Sequence, residues 1–392
     1  MELDGEARAL PRILENIDTM AYQVDFLMRH EGILRFYTVD CFKFLKKLRG
    51  GFMELSKNDS KMLQGLSVLA MVWLHLFDTW DYINKFTPIL YWEGVPVSFY
   101  FAQLSDFCVF GFAFLSGYAH MMQYGQTGYY KRRLKGLLSI FCSYWLILIV
   151  FSLIGILIGL AGYMPGGIKK FVLNALTLES SYNGAWWYMF TYAFLVVTSP
   201  VLLKWAKRSH PIIVLGIGFA IYCVAYYVRF NMDDSNWFLY KFGASGMTLF
   251  EYILGALALK YQVFTHFYRI WEKIPKTVRW MLTAMLILGM LYGRTKVVPS
   301  LFVAPVSGFV VMTLFHFWDK PEFVKKSFLL VGTHSTNIWL THMFFYLVMF
   351  KNLVYIAKYP LLIFAFMLVI TIPLSMLLKM VERPIQKRIA KI

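Results

Sequence analysis

The sequence predicts an all-α membrane protein, a bundle of about ten transmembrane helices with both termini in the cytoplasm. Hydrophobic residues make up 59% of the 392 positions and charged residues only 16%, a balance outside the range of soluble domains. Apolar runs of roughly 17 to 25 residues, the length that crosses a bilayer as a helix, recur after Lys61. A membrane β-barrel would instead show alternating segments of about ten residues, and the sequence has no such pattern.

The basic charge of the chain reflects its topology. The formal net charge is +17, but the Lys and Arg residues lie in short segments between apolar runs rather than on one soluble face. We therefore expect membrane lipids, and not nucleic acid, around the protein. Three of the four cysteines fall inside apolar runs without the paired spacing of a metal site or a disulfide framework, so no metal is expected.

Residues 1–60 differ from the rest and are predicted to form a cytoplasmic or interfacial helical region, ahead of a membrane domain at 61–392. Apolar positions recur at helical spacing there, with charges between them. The basic and aromatic stretch FKFLKKLRGGFMEL would suit an anionic lipid surface, and a solvated or bundle-packed helix fits it equally well.

The membrane domain is predicted to hold ten spans, and the charges between them support this number. Segments placed in the cytoplasm, such as YYKRRLKG and KWAKRSH, are rich in Lys and Arg, while outer loops such as RFNMDDSNWFLYK carry more acidic and aromatic residues. The short outer turn with Arg294 and Lys296 is an exception, and these cations would suit an anionic glycan or lipid phosphates. The candidate spans are 63–81, 97–122, 136–163, 185–204, 210–229, 243–260, 279–293, 297–318, 328–350 and 360–381.

The first span holds an ionisable pair, His75 and Asp78. At 1.5 Å per residue, His75 is expected on the order of 16 Å from the cytoplasmic end of the span, near mid-membrane. Residues three apart share a helix face, so Asp78 would accept a hydrogen bond from one ring nitrogen and leave the other to take a proton. A purely structural histidine is the alternative. Ionisable groups cost several kcal/mol inside a membrane, which favours a functional role.

A basic cluster follows the second span, after the segment FLSGY. Its members are Lys131, Arg132, Arg133 and Lys135. Such a cluster usually marks a cytoplasmic loop, and its density also suits a nucleotide or pyrophosphate group.

Two later spans carry further polar groups. Glu251 is a lone carboxylate at mid-span, which requires a basic partner or a proton. The segment VGTHSTNIWLTHM supplies His334, Ser335, Asn337 and His342, and the seven-residue spacing of Ser335 and His342 places both on one helix face. We expect these two side chains to line one cavity.

Taken in order, these segments resemble the membrane-bound acyltransferase 3 family. The resemblance covers residues from about 60 to the C-terminus and is carried by the first-span His, FLSGY, KRRLKG, WWYMFTYAFLVVTSPVL, HSTNIWLTH and VERPIQKRI. It implies transfer of an acyl group, usually acetyl, from cytoplasmic acyl-coenzyme A to a hydroxyl of a cell-surface glycan or a lipid-linked sugar, by a multi-pass protein of the plasma membrane.

The family's functional residues carry over to named positions, with two departures. Its first-span histidine matches His75, and its Arg-x-x-Arg motif is present as Arg132-x-x-Lys135. Where family members often have Arg or Lys eleven residues before the histidine, this chain has Gln64, so either Lys61 supplies that charge or the donor is held differently.

The mechanism expected from this resemblance uses two groups of residues. The phosphates of the coenzyme would lie on Arg132, Arg133 and Lys135, with Lys131 beside them. His75 would deprotonate the acceptor hydroxyl as general base, and an acyl-histidine intermediate stays open. His342, Ser335 and Asn337 are the candidates for stabilising the oxyanion or the acceptor.

Two other classes of function compete with the enzyme. A transporter or flippase for a sugar-containing or anionic substrate would also use polar groups at mid-membrane, but it predicts internal repeats that are not visible in the sequence. A non-catalytic scaffold would leave the buried His and Asp without a role.

Overall fold

The computed structural model describes residues 53–78, 85–232, 236–296 and 303–391, without the side chains of 294–296. The stretch from Glu54 onward forms one compact unit. The helices predicted for residues 1–52 lie outside the described residues. The first described helix begins at Lys57, so residues 57–60 of the predicted N-terminal region form its first turn.

The described part is almost entirely helical. In chain order the helices are α1 (Lys57–Phe77), α2 (Val97–Leu104), α3 (Cys108–Gln123), α4 (Tyr129–Leu157), α5 (Ile168–Ala175), α6 (Trp187–Arg208), α7 (Pro211–Asn231), α8 (Trp237–Lys260), α9 (Val263–Trp271), α10 (Lys276–Lys296), α11 (Ala304–Phe317), α12 (Glu322–Met343), α13 (Lys351–Tyr355) and α14 (Pro360–Lys391). Short 3₁₀ turns at Ser105–Phe107 and Gly184–Trp186 lead into α3 and α6, and a π-helical turn, Phe344–Val348, follows α12.

Seven of the ten predicted spans coincide with helical segments that are long and apolar enough to cross a membrane. These segments are Lys57–Phe77, Val97–Gln123, Tyr129–Leu157, Gly184–Arg208, Pro211–Asn231, Trp237–Lys260 and Pro360–Lys391. The other three predicted spans fall on α10, α11 and α12, and α11 is apolar but only 14 residues long. The class of fold is therefore confirmed, while the number of spans stays a prediction.

Helix α1 begins earlier and ends earlier than predicted. Ser56 caps it: its Oγ accepts from the Asp59 backbone N–H at 3.1 Å, and Asp59 Oδ2 accepts from the Ser56 N–H at 3.1 Å. This capping box starts the helix inside the polar segment KNDSK, which hydropathy alone does not detect. His75 lies in the last turn of α1, about 27 Å along the axis from Lys57. It is therefore at the end of its helix, not in the middle.

Glycines allow two pairs of helices to touch backbone to backbone. Gly65 of α1 faces Gly332 of α12, where an added Cβ would overlap the carbonyl oxygens of Phe328 and Lys61 respectively. Gly117 of α3 and Gly255 of α8 cross in the same way. Small residues let membrane helices approach closely, and these crossings hold α1 to α12 and α3 to α8.

A small hairpin departs from the predicted all-α fold. Strands β1 (Tyr91–Trp92) and β2 (Val95–Pro96) pair antiparallel in a segment predicted as an outer loop. The two turn residues, Glu93 and Gly94, have φ angles of 50° and 77°, the positive values that a two-residue hairpin turn requires.

Candidate active site

A cavity of about 330 Å³ lies among α1, α3, α6, α8 and α12, at the lower end of the size range of small-molecule sites. Gln64 and His75 both line it. Because these residues are eleven positions apart on α1, the cavity extends roughly 16 Å along that helix. We call its two ends the Gln64 end and the His75 end.

Helix direction assigns other lining residues to the His75 end. His75 is in the last turn of α1, while Asp106 lies just before α3 and Trp187 begins α6. Arg229, in the last turn of α7, also lines the cavity. Helix α3 starts at the end where α1 stops and runs in the opposite direction. Helices α6 and α7 are consecutive and antiparallel, so the start of α6 and the end of α7 lie at the same end. These residues therefore belong to one end of the bundle.

His75 contacts a second histidine, His342 of α12. Nδ1 of His75 lies 2.7 Å from Nε2 of His342, and the rings stack at 5.0 Å between centroids with 13° between planes. Nδ1 of His342 is 2.8 Å from the Trp339 carbonyl oxygen and 3.2 Å from that of Ile338. The two imidazoles therefore form a chain that ends on the backbone of α12.

These contacts assign the protons of the neutral pair. A carbonyl oxygen only accepts, so Nδ1 of His342 carries a hydrogen and its Nε2 is an acceptor. Nδ1 of His75 must then donate to that Nε2, which leaves Nε2 of His75 without a hydrogen. Among the described residues this last nitrogen has no hydrogen-bond partner, and His75 lines the cavity. It is the atom of the pair that can accept a proton from a ligand.

Hydrogen bonds to the end of α12 hold the histidine pair in place. The carbonyl oxygen of Leu340 accepts from Asn183 Nδ2 at 3.0 Å and from the Trp186 indole N–H at 2.9 Å. The Trp339 indole N–H donates to the Ala185 carbonyl oxygen at 2.9 Å. Three side chains, Asn183, Trp186 and Trp339, thus tie the segment before α6 to the end of α12 that carries His342.

The structure gives His75 a different hydrogen-bond partner from the predicted Asp78. Asp78 follows α1 as its C-cap, and its Oδ1 accepts from Nε2 of Gln103, in α2. The Nδ1 of His75 is directed to His342, which the sequence had suggested for the oxyanion or the acceptor. The hydrogen bond expected between residues three apart on one helix face does not form, because a side chain from another helix binds the Asp78 carboxylate. A catalytic role for Asp78 stays a prediction.

The other polar residues of α12 separate into three environments. Ser335 lines the cavity, whereas His342, fully buried, contacts His75 without lining it, so the two do not line one cavity as expected. Asn337 is buried and is not among the described residues that line the cavity. Nδ1 of His334 lies 2.8 Å from the hydroxyl of Ser375, in α14. Roles for Ser335 and Asn337 stay predictions.

The basic residues after α3 have separate hydrogen-bond partners, and their role in binding a donor stays a prediction. Arg132 is exposed and donates to the Thr127 carbonyl and to Gln126, within the turn before α4. Arg133 is half-buried and donates to Gln123 Oε1 at 2.6 Å. Lys135 Nζ donates to the carbonyl of Ala390, in α14, at 3.0 Å, and Lys131 is exposed.

Cations from α1 and α14 lie near the Gln64 end. Lys61 Nζ donates to Gln64 Oε1 at 3.0 Å, which brings an ammonium beside the position where family members often have a basic residue. Lys379 Nζ donates to the carbonyl oxygen of Thr333, next to the Gly332 that packs on the Lys61 backbone. Lys61 is a candidate for this charge from the sequence, whereas Lys379 is not, because a lysine near the C-terminal end of the last span resembles an ordinary cytoplasmic-side charge.

Three buried polar groups on the α6–α8 wall of the cavity have unsatisfied atoms. Among the described residues, no hydrogen-bond partner is present for Glu251 Oε2, Tyr188 Oη or Arg229 Nη1. All three residues line the cavity. Buried polar atoms normally have hydrogen-bond partners, so this wall has the character of a binding site for a polar ligand. In the sequence Arg229 is the last residue of the fifth predicted span and the first of the outer segment RFNMDDSNWFLYK, which indicates a loop residue.

The described helices thus form a bundle around a mainly apolar cavity, with His75 at one end and a few polar side chains on its wall. A family model described as an acyltransferase domain matches residues 59–380, and the chain therefore belongs to the acyltransferase 3 family. No curated protein and no solved structure matches the chain.

Proposed function

We propose that the protein transfers an acyl group, acetyl in the simplest case, from cytoplasmic acyl-coenzyme A to a hydroxyl of a cell-surface glycan or lipid-linked sugar at the plasma membrane. Membership of the acyltransferase 3 family supports the reaction class. The observation that carries the mechanism is the hydrogen-bond chain from the Trp339 carbonyl through His342 to His75, because it leaves Nε2 as a proton acceptor on a residue that lines the cavity.

The proposed reaction proceeds by direct attack. Nε2 of His75 takes the proton of the acceptor hydroxyl while that oxygen bonds to the thioester carbonyl carbon. The carbon–sulfur bond then breaks, and the leaving thiolate takes the proton back from Nε2. The products are an ester and free coenzyme A, and His75 returns to its neutral state. During the step the imidazolium is stabilised because its Nδ1–H donates to His342.

The donor would enter at the Gln64 end. The cations Lys61 and Lys379 lie toward that end and Arg133 lies near the start of α4, where charge-assisted hydrogen bonds would hold the phosphates of the coenzyme. The cavity, extending about 16 Å along α1, would take the pantetheine arm toward His75. Ser335, on the cavity wall, is our candidate for a hydrogen bond to the donor or to the developing oxyanion.

The test is transfer and slow hydrolysis of radiolabelled acetyl-coenzyme A by the purified protein, compared with His75→Gln. General-base catalysis typically contributes 10²–10⁴-fold, so we expect His75→Gln to lower the rate by at least about a hundredfold. His316→Gln is the matched control, since His316 is also buried in the bundle but does not line the cavity. If the label stays on coenzyme A with wild-type protein, or if both variants lose the same activity, the proposed mechanism is wrong.

A further inference from the structure

We propose that Arg229 binds an acidic group of the acceptor, so that the preferred acceptor is an anionic sugar bearing a carboxylate or a phosphate. The inference rests on the proposed function in one respect: it takes the His75 end of the cavity as the acceptor end. It goes further by naming the charge of the acceptor and the residue that reads it.

The guanidinium of Arg229 is held in place without a countercharge. Its Cζ lies 4.7 Å from the ring centroid of Trp187 and 5.6 Å from that of Tyr240. Gly243, on α8, leaves room for this side chain, because a Cβ there would lie 2.9 Å from the Arg229 Cβ. Among the described residues Arg229 has no hydrogen bond or ion pair, and its Nη1 is buried without a partner.

A guanidinium stays charged in proteins, unlike a carboxyl group, which can take up a proton. Two aromatic faces stabilise the cation but leave its N–H donors unused. The group that best matches a free guanidinium fork is a carboxylate or a phosphate, through two parallel hydrogen bonds. Of the described residues that line the cavity, Arg229 is the one Arg or Lys. An uncharged acceptor would leave this half-buried cation, with its buried Nη1, without an anion.

A series of contacts connects Arg229 to the hydrogen bonds that position His75 and His342. The Arg229 guanidinium lies over the ring of Trp187, which is two residues after Ala185 in the sequence. The carbonyl oxygen of Ala185 accepts a hydrogen bond from the Trp339 indole N–H. The carbonyl of Trp339 in turn accepts from His342. The acidic-group site and His75 are therefore positioned by one set of contacts, which suits an acceptor bound by its acid at one point and deprotonated at another.

The other groups on this wall fit the rest of a sugar. Glu251 Oε2 has no partner among the described residues and would accept hydrogen bonds from sugar hydroxyls. Trp187, Tyr188 and Tyr192 also line the cavity and supply aromatic surface for a sugar ring. A lipid phosphate is the competing anion, but Arg229 lines the cavity among the helices, which favours a ligand that enters it.

The experiment measures binding by the purified full chain, without any donor. The probes are methyl β-D-glucuronide, methyl β-D-glucoside, glucose 1-phosphate and sn-glycerol 3-phosphate, titrated against wild type and Arg229→Gln. We expect wild type to bind the glucuronide or the sugar phosphate at least about tenfold more tightly than the glucoside, and Arg229→Gln to lose that difference. Arg229→Lys, which keeps the charge without the fork, should retain part of it.

Lys241→Gln is the matched control, because Lys241 is another buried cation near an aromatic ring, 4.7 Å from Phe190, and does not line the cavity. It should keep the wild-type preference, and unfolding temperatures verify that each variant is folded. Binding of the glucoside by wild type as tightly as both the glucuronide and glucose 1-phosphate would overturn the inference, as would sn-glycerol 3-phosphate binding as tightly as both acidic sugars. The binding measurements need no donor, and thioester cleavage is tested separately with wild type and His75→Gln, so the acid preference and the proposed transfer reaction can fail independently.

Discussion

His342 determines which nitrogen of His75 carries the hydrogen. A neutral imidazole carries one hydrogen, and the hydrogen bond made by one nitrogen determines the state of the other. In this protein the chain from Trp339 O through His342 places the hydrogen of His75 on Nδ1. The stacked ring of Tyr346, 5.9 Å from His342 and 6.3 Å from His75, limits rotation of both imidazoles. His342 is in this sense a positioning residue for His75.

Substitution of His342 should therefore lower activity according to whether the new side chain can accept a hydrogen bond. In His342→Phe no acceptor remains for Nδ1–H of His75, and we expect acyl transfer to fall by about ten- to a hundredfold, as for other groups that orient a functional histidine. His342→Gln offers an amide oxygen on a side chain of similar reach and should retain more activity. Rates are to be measured at saturating acetyl-coenzyme A. Equal losses in both variants would show that His342 fills space only.

At the scale of elements, the α1–α12 crossing brings the two histidines together. Gly65 and Gly332 let these helices touch near the Gln64 end, and His75 and His342 meet at the other end of the same pair. Two contacts separated by about ten residues on each helix fix both the distance and the rotation of α1 relative to α12. The register of the histidine pair thus depends on the absence of a side chain at Gly65.

Gly65→Ala should destabilise the protein and disturb the site. The added Cβ would overlap the Phe328 carbonyl oxygen, and overpacking of this kind costs about 1–3 kcal/mol. Gly136→Ala in α4 is the control, because nothing lies within 4 Å of a Cβ there, and Ala is favoured over Gly in a helix by up to about 1 kcal/mol. Unfolding temperatures in detergent should fall for Gly65→Ala and stay level or rise for Gly136→Ala. A Gly65→Ala protein as stable as wild type would contradict this account.

The sequence predicted the helices better than the site because the two depend on different interactions. Hydropathy placed most helix boundaries within a few residues. His75 itself was visible as an ionisable group in an apolar run. Its partner was not, since His342 is 267 positions away and the nearer Asp78 is bound by Gln103. Arg229 was missed because a cation at the end of a span looks like a loop residue until its aromatic contacts are known.

At the scale of the whole molecule, the positive charge of +17 is unevenly distributed between the two predicted sides of the membrane, and the two ends of the cavity differ in the same direction. The segments predicted to be cytoplasmic carry most cations, and the Gln64 end of the cavity, beside Lys61, lies at the start of α1. The His75 end lies at the opposite end of that helix. An enzyme joining a cytoplasmic donor to an external acceptor requires this separation, with the proton acceptor near the acceptor's side. The orientation of the bundle in the membrane therefore bears directly on the proposed reaction.

That orientation can be measured at the two ends of α4. Thr127 precedes this helix in the turn that holds Arg132, and Gly162 follows it, and both are exposed. The cations at the start of α4 favour the cytoplasm by the positive-inside rule. After replacement of Cys41, Cys108, Cys142 and Cys223, we expect an impermeant maleimide to label Gly162→Cys in intact cells and Thr127→Cys only in inside-out vesicles. The reverse pattern would put the His75 end on the cytoplasmic side, where an external glycan could not reach Nε2, and the transfer reaction as proposed would be topologically impossible.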